Sequence, residues 1–150
     1  MTQPTVKVQV LPHGEGLDLP SYATAGSAGM DLRAALEEPY VLSPMERTAI
    51  PIGIRIAIPE GWEGQIRPRS GLAFRHGLSV PNAPGTIDSD YRGELKVLLI
   101  NLGPDPIVIE RGMRVAQMLI TPAPQAEIKL VSDLDDTERG TGGFGSTGVS

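Results

Sequence analysis

Two carboxylates one residue apart, Asp88 and Asp90, lie in the stretch PNAPGTIDSDYRGELKV, residues 81–97. Pro, Gly and Asn mark a turn at its start, and a strand is expected to leave from Thr86, so that the stretch reads as a hairpin. On a regular strand Asp88 and Asp90 share a face. One can then serve as general base toward water and the other as an ion-pair partner. A second stretch, RPRSGLAFRHG at 67–77, gathers Arg67, Arg69, Ser70 and the Gly71 N–H at the start of a short predicted helix, with Ser70 as N-cap and Gly77 as stop. Free amides and the helix dipole favour an anion at such a start. A further carboxylate, Asp31, follows a flexible glycine stretch in GSAGMDLRA. A lone Asp in a loop more commonly caps or turns the chain.

The C-terminal stretch ERGTGGFGSTGVS, 138–150, poses a different question, because it holds one of only two Phe residues and has no apolar periodicity. Gly140, Gly142 and Gly145 fit GxGxxG, yet no helix can follow in five residues, and nothing reads Gly-Lys-Ser/Thr, so neither dinucleotide nor Walker chemistry is indicated. Composition of this kind commonly marks a disordered terminus. Glycines also leave backbone N–H groups free to wrap an anion. Arg139, Ser146 and Thr147 add phosphate donors, and Phe144 adds a flat face for a base. A segment ordered by a nucleoside triphosphate accounts for all of these features.

These groups need a scaffold, and the sequence predicts a β one. IPIGIRIAI, 50–58, places Ile at every second position, which puts five Ile side chains on one strand face with Arg55 on the other. ELKVLLIN, 94–101, is apolar on nearly both faces, as in a strand covered on both sides. VKVQVL (6–11), PIVI (106–109), VAQMLIT (115–121) and EIKLV (127–131) read as further short strands. With 14 Pro and 18 Gly as punctuation and no long helical period, the expected fold is all-β, a sandwich or jelly roll. It spans residues 1–131, and 132–150 form a charged linker, SDLDDTE, and a glycine-rich tail.

Composition narrows the function. The 150 residues suit one domain. The absence of Cys removes disulfides and thiolate chemistry. The N-terminus lacks a signal-peptide pattern, and no apolar run approaches the ~20 residues of a membrane span. A cytoplasmic protein is expected. A net charge of −5 argues against sequence-independent nucleic-acid binding. The basic residues are nonetheless mostly Arg, the side chain that forks around phosphate oxygens; a GC-rich genome would produce the same bias. His13 and His76 are too few for a zinc site, Met113 and Met118 read as packing residues, and Trp62 as a residue packed beside a turn.

Five stretches, AGSAGMDLRA, RPRSGLAFRHGL, GTIDSDYRGE, RGMRVAQMLI and RGTGGFGSTG, occur in this order across residues 25–148. Together they make the chain resemble the trimeric deoxyuridine triphosphatase family, whose members hydrolyse dUTP to dUMP and pyrophosphate. That activity limits uracil incorporation into DNA and supplies dUMP for thymidylate synthesis. Met30, where an aromatic such as Tyr is common, is the one small departure. The resemblance implies a jelly-roll homotrimer with active sites shared between subunits. It implies that Asp88 holds and deprotonates the attacking water and touches the deoxyribose 3′-hydroxyl, while Tyr91 packs under the sugar and excludes a 2′-hydroxyl. Asn82 and backbone groups of the 82–88 hairpin, Thr86 and Ile87 among them, would read uracil and reject a 5-methyl group. Arg69, Ser70 and Gly71 would bind phosphates, with Gln117 close by and Lys96 on the strand leaving the hairpin. Arg139 and the tail glycines, with Gly145 and Ser146, would close over the γ-phosphate, and Phe144 would stack on the base. Asp31 resembles the family position near the water shell of Mg²⁺.

First principles agree with this chemistry. A triphosphate repels nucleophiles until its charge is neutralised, and Mg²⁺ does this with few protein carboxylates. In-line attack at the α-phosphorus then depends mainly on positioning and charge. Two alternatives are a dCTP deaminase-like enzyme, which needs a catalytic Glu and donors suited to a 4-amino group, and a non-catalytic trimer that senses nucleotide. IDSDYRG disfavours the first, and Asp88 with the full tail disfavours the second.

Overall fold

The computed structural model describes residues 2–145 and 148. Its longest strand is the period-two Ile segment, β5 (Arg47–Ala57). Ile50, Ile52, Ile54 and Ile56 are all buried, as is Ile58 just beyond. Each buried Ile is worth about 1.5–3 kcal/mol, and a one-residue slip would expose all of them, so the register is strongly determined. The first half of β5 pairs with β9 (Glu94–Asn101) and the last part with β1 (Lys7–Val10). The β5–β9 register shifts between Pro51 and Arg55, where Gly53 takes φ +76. With β7 (Leu78–Ser79) these strands form a sheet ordered β1-β5-β9-β7.

The opposing sheet has the order β2 (Ser21–Tyr22), β3 (Met30–Arg33), β11 (Arg114–Pro122), β6 (Trp62–Arg67), β8 (Gly85–Ile87). A two-stranded ribbon pairs β4 (Tyr40–Leu42) with β10 (Ile107–Ile109). Leu32, Ile66, Val115 and Met118 on the five-stranded sheet join the Ile face of β5 and Leu95, Val97 and Leu99 of β9 in one hydrophobic core. The expected β-sandwich is present. Met118 lies in the core, and Met113 and Trp62, the first residue of β6, pack against it.

Local readings differ from the structure in several places. EIKLV at 127–131 forms no strand; Ile128 and Leu130 are almost fully exposed, and the last strand ends at Pro122. β9 is covered on one face only, with Leu98 41% exposed on the other. The helix α1 (Ser70–His76) is capped by the backbone of Arg69, so Ser70 is its first helical residue; Gly77 stops it in the left-handed conformation as expected. Asp31 is on a strand, β3, and not in a loop. The segment 81–97 is not a simple hairpin. β7 and β9 belong to one sheet and β8 to the other, so the chain crosses between sheets at 80–84 and again at 88–93.

Candidate active site

The end of β6 feeds directly into α1 beside β3 and β11, and this junction creates a cleft of about 490 Å³. Asp31, Arg69, Ser70, Gly71 and Gln117, five of the residues expected at the site, line it. Asp31 and Gln117 are register partners on β3 and β11, and Gln117 faces Arg67 on β6. Gln117 Nε2 donates to the Pro68 carbonyl (3.0 Å), which ties the β6–α1 junction to β11. Gly29 packs against Gln117, and a Cβ there would lie 2.3 Å from Gln117 Oε1 and displace that side chain. Arg67 turns away and donates to Gln65 Oε1, so it is not among the lining residues.

One carboxylate braces two guanidinium groups in this cleft. Asp31 Oδ1 is 3.3 Å from Arg69 Nε, and Asp31 Oδ2 is 3.6 Å from Arg114 Nη1. Arg69 also donates to the Arg114 carbonyl (3.4 Å). The result is a positively charged wall of partly exposed arginines held in fixed orientation, suited to oxyanions. Arg114 and Arg75 line the cleft as well and were missed from sequence. Arg75 had a readable signal: it lies four residues after Gly71 on one helix, and a Cβ at Gly71 would be 3.8 Å from Arg75 Nη1. Arg114 lies three residues before Gln117, but a β-bulge in the β3–β11 pairing sets its direction, and local spacing does not reveal that.

The nucleoside-side candidates sit on the two sheet-crossing turns. Asn82 occupies the first, packed so closely that a Cβ on Gly85 would be 2.8 Å from its Nδ2. Thr86 and Ile87 pair with Gln65 and Gly64 on β6. Asp88 begins the second turn, whose backbone closes through the Tyr91 N–H to the Asp88 carbonyl (3.2 Å). Because β8 ends at Ile87, Asp88 and Asp90 do not share a strand face. Tyr91 is 43% exposed, with its hydroxyl donating to the Glu94 carbonyl (2.8 Å).

The two groups are not adjacent in one chain. Ile87 pairs with Gly64, whereas Asp31 and Gln117 align with Arg67. About four residues along the strands at ~3.3 Å, and three strand spacings at ~4.8 Å, separate Asp88 from Asp31 by roughly 20 Å. Asp88 instead lines another cleft with Trp62 and Glu63. Lys96 lies on β9 in the other sheet, exposed and opposite Pro51. Arg139 bonds within the tail, to the Gly142 carbonyl (2.6 Å), and Phe144 and Gly145 are exposed. Ser146 and Thr147 lie outside the described residues.

No three His, Asp or Glu side chains converge among the described residues. The cleft offers one carboxylate, Asp31, already facing two arginines. That donor set does not make an all-protein cage. A Mg²⁺ that takes most of its oxygen ligands from phosphate and water would fit such a site, with Asp31 as the protein group to hold it.

The sequence profile of the dUTPase family matches residues 15–148. A deoxyuridine 5'-triphosphate nucleotidohydrolase of Rhizobium etli strain CFN 42 is 59% identical over 150 residues, spanning 99% of this chain and 96% of that protein. The protein of the same name from Brucella melitensis biotype 2 is 58% identical over 149 residues, 98% and 95% of the two chains. Among solved structures, Staphylococcus bacteriophage 80alpha dUTPase with dUPNHPP matches with a TM-score of 0.83 at 30% identity, covering 97% of this chain and 99% of that one. A mutant dUTPase from the S. aureus phage phi11, described with a structural Mg(II) ion, gives 0.78 at 25% identity, covering 88% and 99%.

Proposed function

This chain belongs to the dUTPase family and hydrolyses dUTP to dUMP and pyrophosphate, and on that premise we propose how its residues divide the work. The Asp31–Arg69–Arg114 wall, with Ser70, the Gly71 N–H and Gln117, binds the triphosphate. Asp88 takes the proton of a water that attacks the α-phosphorus; the α–β anhydride bond breaks and pyrophosphate leaves. Asp88 is exposed and outside the ion pairs of the described residues, so its carboxylate is open to water. Mg²⁺, when bound on the triphosphate beside Asp31, supplies positive charge against the phosphate oxygens. Asn82, Thr86 and Ile87 read uracil on a turn too tight for a 5-methyl group, and Tyr91 fills the space that a 2′-hydroxyl would need. Lys96 lies on the strand leaving that turn. Residues 1–131 form the β domain. Residues 132–150 form a linker and lid, in which Arg139, Gly145 and Ser146 close on the γ-phosphate and Phe144 stacks on the base. Neither a dCTP deaminase nor a non-catalytic nucleotide sensor is favoured by these relatives.

The offset of roughly 20 Å between Asp88 and the phosphate cleft carries the reading of how the site is assembled. A carboxylate that distant cannot act on a phosphate held by Arg69 of its own chain. A neighbouring subunit's Asp88 can. Apolar side chains left exposed in one protomer, Phe74 (91%), Leu98 (41%), Ile128 (89%) and Leu130 (98%), support a homotrimer that buries them. No helix of the described residues is long and apolar enough to cross a membrane, and the absence of Cys suits a reducing cytoplasm. No nucleic acid or membrane partner is invoked.

Mixing two inactive proteins tests this assembly. One is Asp88→Asn with its tail intact; the other lacks residues 139–150 and keeps Asp88. In a cyclic trimer whose sites take Asp88 and tail from different subunits, co-refolding equal amounts should restore about a quarter of all sites. Recovery near zero, with mixed trimers verified by native mass spectrometry, would refute the placement of Asp88 and tail on different subunits.

A further inference from the structure

The geometry points to His13 as a positioning residue for sugar selectivity, acting through Glu94 on Tyr91. The inference rests on the reading of Tyr91 proposed above. His13 is 81 residues from Glu94 in sequence, yet its Nε2 donates to Glu94 Oε2. The same carboxylate oxygen accepts the Gly53 N–H (3.1 Å). Glu94 is the first residue of β9, immediately after the Asp88–Gly93 turn, and its carbonyl accepts the Tyr91 hydroxyl (2.8 Å). The side chain of Glu94 is thus anchored on one side of the strand end while its backbone holds the aromatic ring.

Two further features make this a rigid link. The 3₁₀ turn that carries His13, Pro12–Gly14, presses on the β5 bulge: a Cβ on Gly14 would lie 2.2 Å from the Gly53 carbonyl oxygen, and one on Gly53 2.5 Å from Gly14 Cα. The Leu11 N–H donates to that same Gly53 carbonyl (2.8 Å). Arg111 also donates to the carbonyls of His13 (2.8 Å) and Glu15 (3.0 Å). At the other end the ring lies over Gly93, where a Cβ would be 2.3 Å from the Tyr91 oxygen. Rejecting a hydroxyl by contact depends on a wall that does not yield. A half-exposed Tyr on a turn needs such bracing to keep its place.

The test is kcat/KM for dUTP and for UTP, with Mg²⁺, on the full-length protein. His13→Ala should narrow the dUTP:UTP ratio about three- to tenfold, the usual worth of one hydrogen bond, chiefly by a gain on UTP. His13→Gln keeps a donor toward Glu94 and should retain most of the ratio. In a Tyr91→Phe background, which cuts the link, His13→Ala should add little. If His13→Ala does not fold, His13→Leu keeps the volume and is read by the same ratio. An unchanged ratio, or equal losses on both substrates, overturns the proposal. Tyr91→Ala separates the two levels. If it leaves the ratio unchanged, the reading of Tyr91 falls and the proposal with it. If it narrows the ratio and His13→Ala does not, only the proposal falls.

Discussion

Asp31 and Arg69 form an ion pair in the cleft beside α1, Oδ1 to Nε at 3.3 Å, and the second oxygen of the same carboxylate faces Arg114. The carboxylate therefore keeps two like charges close together. Without it they would repel and reorient.

Asp31→Asn tests that relationship. It keeps the volume and loses the charge. An ion pair at this exposure is worth up to about 1 kcal/mol, so with two pairs lost kcat/KM for dUTP should fall about three- to tenfold. The loss should persist at saturating Mg²⁺, because arginine orientation is what is lost. Full recovery on adding Mg²⁺ would reduce Asp31 to a metal-shell residue.

Asp88→Asn keeps shape and hydrogen bonding but removes the proton acceptor. Turnover should fall by ~10²–10⁴, the usual worth of a positioned base, with little change in dUTP affinity. Thermal melting should be unchanged, since the side chain is exposed on its turn. Near-normal turnover in the purified variant would remove Asp88 from the base role.

Deleting 139–150 should leave the melting curve intact and collapse hydrolysis. Among the described residues the Arg139 side chain bonds within the tail, to Gly142, and the Phe144 ring is fully exposed. In the intact protein the tail amides should gain hydrogen-exchange protection when a non-hydrolysable dUTP analogue and Mg²⁺ are added. No gain in protection would return the tail to a disordered terminus.

Away from the site, the Tyr40 hydroxyl donates to Glu46 (2.5 Å), and so does the Ser43 N–H (2.8 Å). These bonds, Tyr40 first, hold the Glu46 carboxyl below its usual range, and the bond to Glu46 pushes the Tyr40 phenol up. The depressed acid stabilises the fold above the ordinary carboxylate range, and that contribution is lost as pH falls through its lowered folded value. The raised phenol contributes below its ordinary range and loses that contribution as pH rises through its folded value. Tyr40→Phe should therefore melt lower than wild type at neutral pH, with the gap closing in acid. A gap independent of pH would show that only packing was lost.

The sequence by itself determined what depends on neighbours along the chain. Alternating Ile over 50–58 specifies a strand with one buried face because the pleat repeats every two residues. Gly77 ends α1 because the left-handed conformation at a helix end carries no steric cost for glycine. The five ordered motifs were enough to point to the family and its reaction. The tertiary structure decided what depends on distant pairing. EIKLV has the alternation of a strand, but a strand exists only where another edge accepts its hydrogen bonds, and within one chain none does. Asp31 reads as an isolated loop residue until β3 and β11 align it with Gln117 and bring Arg69 and Arg114 against it. Asp88 and Asp90 read as partners on a strand face until the crossing between sheets turns that stretch into a bend. His13 reads as a lone histidine, and two glycines pressed together at Gly14 and Gly53 are what bring it to Glu94. Periodicity and capping are set within a few residues, whereas these contacts span tens of residues and are chosen by the packing of two sheets around one core.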